Sequence, residues 1–184
     1  MNSSVLSVAI LTLVSGAWAQ DGVTRHNLEI GGGVVFPLAG YIADDYLAGP
    51  AGRAGYELRL AKPVGAEVGI TETGLPGISC NRIGCTHTRE TLKFLDYGLR
   101  GHVVLSGGRV DLSAGLGGGY VWYEFGNSFT NVHLFQYSGK ASVALDRGKH
   151  FRIAFTVRTW RDLGRPTQQW VSTRGSFVFG FGRL

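Results

Sequence analysis

The chain has no long hydrophobic run beyond its first 19 residues. A membrane-spanning helix needs about 20 predominantly apolar residues, so residues 20–184 are not expected to cross a membrane as helices. The Lys and Arg residues form no cluster interleaved with aromatic residues, which argues against nucleic-acid binding. The sequence also lacks a G-x-S-x-G motif, an H-E-x-x-H motif and a phosphate-binding loop, so it carries none of these common enzyme signatures.

Cysteine is scarce, with only two residues in a polar, glycine-rich stretch. In an exported protein, Cys80 and Cys85 are expected to form a local disulfide. A metal site that includes His87 is the alternative, although two thiols and one imidazole match no common zinc spacing. We therefore expect neither a metal ion nor a cofactor.

Residues 1–19 have the pattern of a cleavable signal peptide. Residues 5–14 form a short apolar core, and Ala17 and Ala19 fit the small-x-small rule for cleavage before Gln20. Residues 20–184 then make one exported domain. An exported chain without spanning helices is either secreted or closed into a membrane barrel, because only helices and closed barrels satisfy their backbone in lipid.

Apolar and polar residues alternate along most of the chain. Within residues 109–125, Leu112 and Leu116 share one face of a predicted strand, and Asp111 and Gly115 share the other. Eight such segments are predicted, at about 25–36, 53–61, 66–73, 91–105, 109–125, 135–145, 151–160 and 169–184.

The connections between these segments alternate in length. Short turns are predicted at 62–65, 106–108 and 146–149, and long loops at 37–52, 74–90, 126–133 and 161–168. Outer-membrane barrels have short periplasmic turns, longer external loops and an even strand number. The sequence therefore predicts an all-β fold, an eight-stranded antiparallel up-and-down transmembrane β-barrel with both termini in the periplasm.

The alternation, the loop asymmetry and the aromatic-rich last strand, with Phe177, Phe179 and Phe181, are shared features of one family. On them, residues 20–184 resemble the eight-stranded outer-membrane barrels of Gram-negative bacteria, the OmpA/OmpX/Ail type. The resemblance implies insertion into the outer membrane by the barrel-assembly machinery and contact with outer-membrane lipid and lipopolysaccharide.

The faces predicted to point inward carry charges of both signs. Because an eight-stranded barrel is just wide enough for side chains to fill, we interpret them as a salt-bridged network that closes the lumen. The alternative is a hydrated, narrow path for small solutes. The predicted lumen residues are Glu29, Glu57, Arg59, Glu67, Asp96, Arg100, Asp111, Lys140, Arg152, Arg158 and Arg174.

Aromatic residues concentrate near the ends of the predicted strands. Tyr120, Trp160 and Trp170 lie toward the long loops, and Phe151 and Phe181 lie toward the short turns. Two aromatic girdles at the membrane interfaces would explain this distribution.

Arginines near the predicted external loops are candidates for binding lipopolysaccharide phosphates, because a guanidinium makes two-point contacts with phosphate. The alternative is that they are solvated loop charges of little energetic weight. The candidates are Arg53, Arg82, Arg89, Arg161 and Arg165.

The predicted function is a structural or surface-interaction role for a monomeric, non-enzymatic barrel whose surface ligand the sequence does not identify. A lipid A-modifying enzyme is the first alternative. A deacylase would need a His-x-Ser pair, which none of the five histidines forms, and a loop acyltransferase would draw on His133, Ser128 and Asp44 or Asp45. An exported, soluble barrel of lipocalin type, with its apolar faces turned inward, is a further alternative.

Overall fold

The computed structural model describes residues 23–40, 43, 46–81, 84–125, 128–164 and 168–184, and the predicted signal peptide lies outside them. Each strand pairs antiparallel with the next, and the last pairs with the first, so the sheet closes into a barrel. The strands are β1 (Thr24–Ala39), β2 (Gly49–Ala61), β3 (Val64–Asn81), β4 (Gly84–Leu105), β5 (Val110–Phe125), β6 (Ser128–Ala144), β7 (Phe151–Asp162) and β8 (Gln169–Arg183). The predicted eight-stranded antiparallel barrel is confirmed.

The two faces of the sheet are the reverse of those in a water-soluble protein. Along β7, the apolar Phe151, Ile153 and Phe155 are exposed, whereas Arg152 and Thr156, which lie on the alternate face, are buried. Successive strand residues point to opposite sides, so the alternation in the sequence sets this division directly. Within the described residues, no helix is long and apolar enough to cross a membrane.

Two of the predicted long loops are strand instead. The β3–β4 ladder continues through Gly74 opposite Thr91 up to Asn81 opposite Gly84, and the β5–β6 ladder continues to Phe125 opposite Ser128. Two paired strands satisfy each other's backbone groups whether their side chains are apolar or polar. The prediction of loops was therefore wrong at 74–81, 84–90 and 128–133, because it relied on hydrophobic alternation that fades beyond the apolar belt.

Two glycines let neighbouring strands approach closely inside the barrel. Gly98 on β4 lies opposite Gly117 on β5, and a Cβ placed on Gly117 would lie 2.0 Å from the Tyr97 carbonyl oxygen. Since no real Cβ makes so short a contact, both positions require glycine unless the strands separate.

An apolar cluster fills the barrel interior at the end where the long connections lie. Phe94 stacks on Trp160 with ring centroids 4.4 Å apart, and its ring meets Trp170 edge-on at 5.7 Å. We call this cluster the apolar cap; its buried members are Val35, Leu75, Leu92, Phe94, Val121, Leu134, Trp160 and Trp170. The assignment of Trp160 and Trp170 to an outer girdle was wrong, because both residues share the inward face of their strands with Arg158 and Arg174.

Candidate functional site

The middle of the barrel interior holds two carboxylates bridged by arginines. Arg53 forms a two-point ion pair with Asp96, whose carboxylate also pairs with Arg158. Nη1 of Arg158 makes the contact with Asp96, and its Nη2 lies 3.1 Å from Glu67. Arg100 also donates to Glu67, at 2.9 Å. Because all five side chains are nine-tenths or more buried, each charge depends on its partner rather than on water.

A second cluster lies nearer the short turns. Arg59 donates to Glu57 on the same strand, β2, at 2.8 Å and forms an ion pair with Asp111 on β5. The two ring nitrogens of His102 lie 3.1 Å from Glu57 and 3.0 Å from Asp111, so both carboxylates are contacted twice. Arg152 lies beside them and donates to the Gly108 carbonyl at 2.7 Å.

Glu29 on β1 is the centre of a third group. Lys140 donates to it at 2.7 Å, Arg174 contacts it at 3.4 Å and the Ser176 hydroxyl at 3.1 Å. One carboxylate is thus shared by two cations and a hydroxyl.

The eleven predicted lumen residues all lie on the inward face and in these three groups. The predicted set of charged lumen residues left out two members of the same network, Arg53 and His102. Both could have been recognised from strand alternation, since Arg53 is an even number of residues from Glu57 and His102 is two residues from Arg100.

Of the five arginines predicted to contact lipopolysaccharide, Arg53 was wrongly assigned. It lies on the inward face of β2 and is only 5% exposed, because its guanidinium pairs with Asp96 inside the barrel. Arg89 and Arg161 are exposed near the loop end, and Arg82 and Arg165 lie outside the described residues.

The cysteine pair lies at the far end of the β3–β4 hairpin. The register places Cys80 directly opposite Cys85. A cross-strand position of this kind brings two cysteines near each other, and the disulfide stays a prediction.

The residues considered for acyl transfer are not described as a set. His133 is exposed on the outer face of β6, where its ring packs against Tyr120 with centroids 4.7 Å apart. Asp44 and Asp45 lie outside the described residues, so this alternative stays untested.

The rim formed by the short turns and the chain ends is strongly basic. Among the described residues it carries six basic side chains and one acidic side chain, Asp146. Backbone N–H groups of Phe151, at 2.8 Å, and His150, at 3.2 Å, donate to Asp146 and lower the pKa of its carboxyl. The basic residues of this rim are Arg25, Lys62, Arg109, Arg147, Lys149 and Arg183.

Comparison with solved structures identifies similar barrels. Neisserial surface protein A is 10% identical, with a TM-score of 0.60, over 86% of this chain and 98% of that one. Ail, the attachment invasion locus protein of Yersinia pestis, is 10% identical, with a TM-score of 0.57, over 86% and 100%. Ail in complex with the heparin analogue sucrose octasulfate is 11% identical, with a TM-score of 0.58, over 85% and 97%. These likenesses show the fold.

No protein-family model matches the chain, and no curated protein matches it.

Proposed function

We propose that this chain is a small integral protein of a bacterial outer membrane, with a structural or surface-interaction role at the lipopolysaccharide layer. The observation that carries the proposal is the apolar belt around the outside of the barrel. Ile30 and Phe177 are each 71% exposed, and Leu116 is 62% exposed.

Every strand contributes to this belt, which also includes Leu60, Ile70, Leu99, Val143 and Phe155. Water-soluble proteins rarely expose a contiguous apolar patch of more than a few hundred Å². A continuous belt with its charges inside is stable in lipid, where the outward side chains replace lipid–lipid contacts and the closed sheet leaves no backbone edge. The same arrangement argues against a soluble, lipocalin-type barrel.

The proposed orientation places the short turns and both chain ends in the periplasm and the long hairpins outside. Arg89 and Arg161, with Arg82 and Arg165, would then stand where lipopolysaccharide phosphates are found. Ail, of similar fold, has been solved with a sulfated heparin analogue, which is consistent with an anionic surface ligand for this chain too. We propose that the protein acts as a monomer and enters the membrane through the barrel-assembly machinery.

The proposed lumen is closed to solutes. Ion pairs occupy the middle and the turn end of the interior, and the apolar cap occupies the loop end. An interior filled in this way leaves a path neither for a sugar nor for a nucleotide.

The test is fractionation of cells that express the full chain, with electrophoresis of unheated and heated samples. We expect the protein in the outer-membrane fraction and a change of mobility on heating, because a lipid-embedded barrel resists detergent until it is heated. Recovery as a soluble periplasmic protein would overturn the proposal.

A further inference from the structure

The charges of the three ion-pair groups do not balance. Five carboxylates face seven Lys and Arg side chains in these groups, because Arg53 joins the six predicted cations, and a further buried carboxylate, Asp162, lies beyond Trp160 at the loop end of β7. The imbalance is local, since in the turn-end cluster two carboxylates, Glu57 and Asp111, equal in number two arginines, Arg59 and Arg152, of which Arg59 forms the ion pairs. In the other two groups, three carboxylates face five cations. The carboxylates are Glu29, Glu67 and Asp96, and the cations are Arg53, Arg100, Lys140, Arg158 and Arg174.

Among these five cations, Arg174 has the weakest compensation. Its one carboxylate contact is with Glu29, at 3.4 Å, and Lys140 holds the same carboxylate at 2.7 Å. Its Nε and Nη1 atoms are buried with no hydrogen-bond partner among the described residues, and the side chain is 2% exposed. Arg53 and Arg158 add to the positive potential at Arg174.

Three further donors beside Arg174 also lack partners among the described residues. They are the hydroxyls of Thr156 and Ser172 and the Nε of Arg158. The β7–β8 register pairs Thr156 with Arg174 and Arg158 with Ser172. All these groups therefore belong to two neighbouring inward-facing residue pairs of β7 and β8. Each of the four residues is at most 3% exposed.

A guanidinium has only donors and keeps its charge at any ordinary pH, so Arg174 cannot relieve the excess by losing a proton. Burying an uncompensated charge is among the costliest arrangements in a protein. The chemistry that satisfies two guanidinium edges and two hydroxyls together is a negative ion that accepts hydrogen bonds.

We propose that the barrel interior binds one small monovalent anion, a halide such as chloride, against Arg174, Arg158, Thr156 and Ser172. The ion is small because the nearby interior space is small. An interior cavity lined by Glu29, Arg53, Glu57, Glu67 and Lys140, and by none of these four residues, measures only about 10 Å³, the room of about one water molecule. The apolar cap covers the loop end, so the ion enters from the turn end, where a cavity of about 20 Å³ lies beside Arg152 and Lys140.

The first test is thermal unfolding of the detergent-refolded protein in sodium chloride and in sodium gluconate at equal ionic strength. Gluconate is too large for the site, so chloride at several times its Kd is expected to raise the unfolding midpoint by about 2–4 °C. R174Q should abolish this difference between the salts. R152Q is the matched control, a buried arginine of the balanced cluster, and it should retain the difference even if its midpoint is lower.

Milder variants keep the test informative if R174Q does not refold. T156V and S172A each remove one hydroxyl donor and are expected to weaken the chloride effect several-fold while the barrel folds. Anomalous diffraction from crystals grown in bromide supplies the location, and we expect a peak in contact with Arg174.

A wild-type midpoint that is equal in chloride and gluconate would overturn the anion site, as would bromide found only on the outer surface. Membrane fractionation and heat-modifiable mobility are separate readouts. They test the outer-membrane proposal, and the salt comparison tests the anion site, so failure of one is distinguishable from failure of the other.

Discussion

Arg53 on β2 and Asp96 on β4 form a two-point ion pair across a strand that lies between them, with Arg53 Nη2 2.7 Å from Asp96 Oδ1. The intervening residue of β3 is Gly69, whose missing side chain leaves room for the guanidinium. A Cβ at Gly69 would lie 2.1 Å from Arg53 Nη2. One ion pair thus links three strands of the wall and depends on a glycine that carries no chemistry of its own.

Asp96→Asn should destabilise the barrel by about 3–5 kcal/mol, because it leaves Arg53 and Arg158 buried with a neutral partner. Urea unfolding of the refolded protein measures the change. Glu72→Gln is the control, since Glu72 is an exposed acid on the adjacent strand and should cost less than about 0.5 kcal/mol. Similar losses for the two variants would contradict the structural role of the central ion pairs.

Gly117→Ala should cost about 1–3 kcal/mol or more, because the new methyl group would enter the backbone of β4. Gly139→Ala is the matched control, since Gly139 lies in the neighbouring strand and a Cβ there has no neighbour within 4 Å. We expect that variant to refold with near wild-type stability. Equal stability of both variants by urea titration would show that β4 and β5 do not approach as closely as described.

Strand alternation was enough to predict the barrel and the inward direction of Glu67, Asp96 and Arg100, because a period of two is a local property of the sequence. It does not specify where a strand begins. Arg53 is the first residue of the predicted strand 53–61 and was therefore counted with the arginines near the external loops, although its position relative to Glu57 already placed it on the inner face.

The apolar cap could not be predicted from alternation in the same way. Trp160 and Trp170 are apolar residues on a face that is otherwise polar, and near a strand end such residues suit either an interface girdle or an interior cluster. The distinction depends on Phe94, which comes from a distant strand, stacks on Trp160 and meets Trp170 edge-on. Contacts of that kind follow from closure of the barrel and leave no periodic signal.

Leu116 and Leu163 are both 62% exposed and lie in different surroundings, the first in the middle of the outer belt and the second in the β7–β8 connection. Leu116→Arg should destabilise the barrel in lipid by about 2–4 kcal/mol, because it places a charge near the bilayer midplane. Leu163→Arg should change stability by less than about 0.5 kcal/mol. Refolding titrations in phospholipid vesicles measure both, and equal tolerance would contradict the proposed lipid-facing belt.

Asp146 gives the turn before β7 an acid-sensitive contact. Its pKa is lowered because the N–H groups of Phe151 and His150 stabilise the carboxylate. The stabilisation is therefore complete above the unfolded pKa of about 3.9 and is lost as the pH falls through the lower, folded value. NMR titration of the Asp146 carboxyl carbon should give a midpoint below that of an unfolded peptide, and an unshifted midpoint would show that the turn does not hold the carboxylate.

The apolar cap and the ion pairs together predict the conductance of the protein. Open porins have about 16 strands, twice the number here. The interior of this barrel is filled by the apolar cap at the loop end and by ion pairs in the middle and at the turn end. We expect no stable, porin-sized conductance in planar bilayers. Trp160→Ala removes one of the two indole rings of the cap without touching an ion pair, and it should produce more frequent small openings while the salt bridges below still limit their size. Trp122 lies on the outer face of β5, so Trp122→Ala is the control and should not increase the frequency of channel openings. Reproducible large channels from the unmodified protein would refute the closed lumen and make solute transport the leading function.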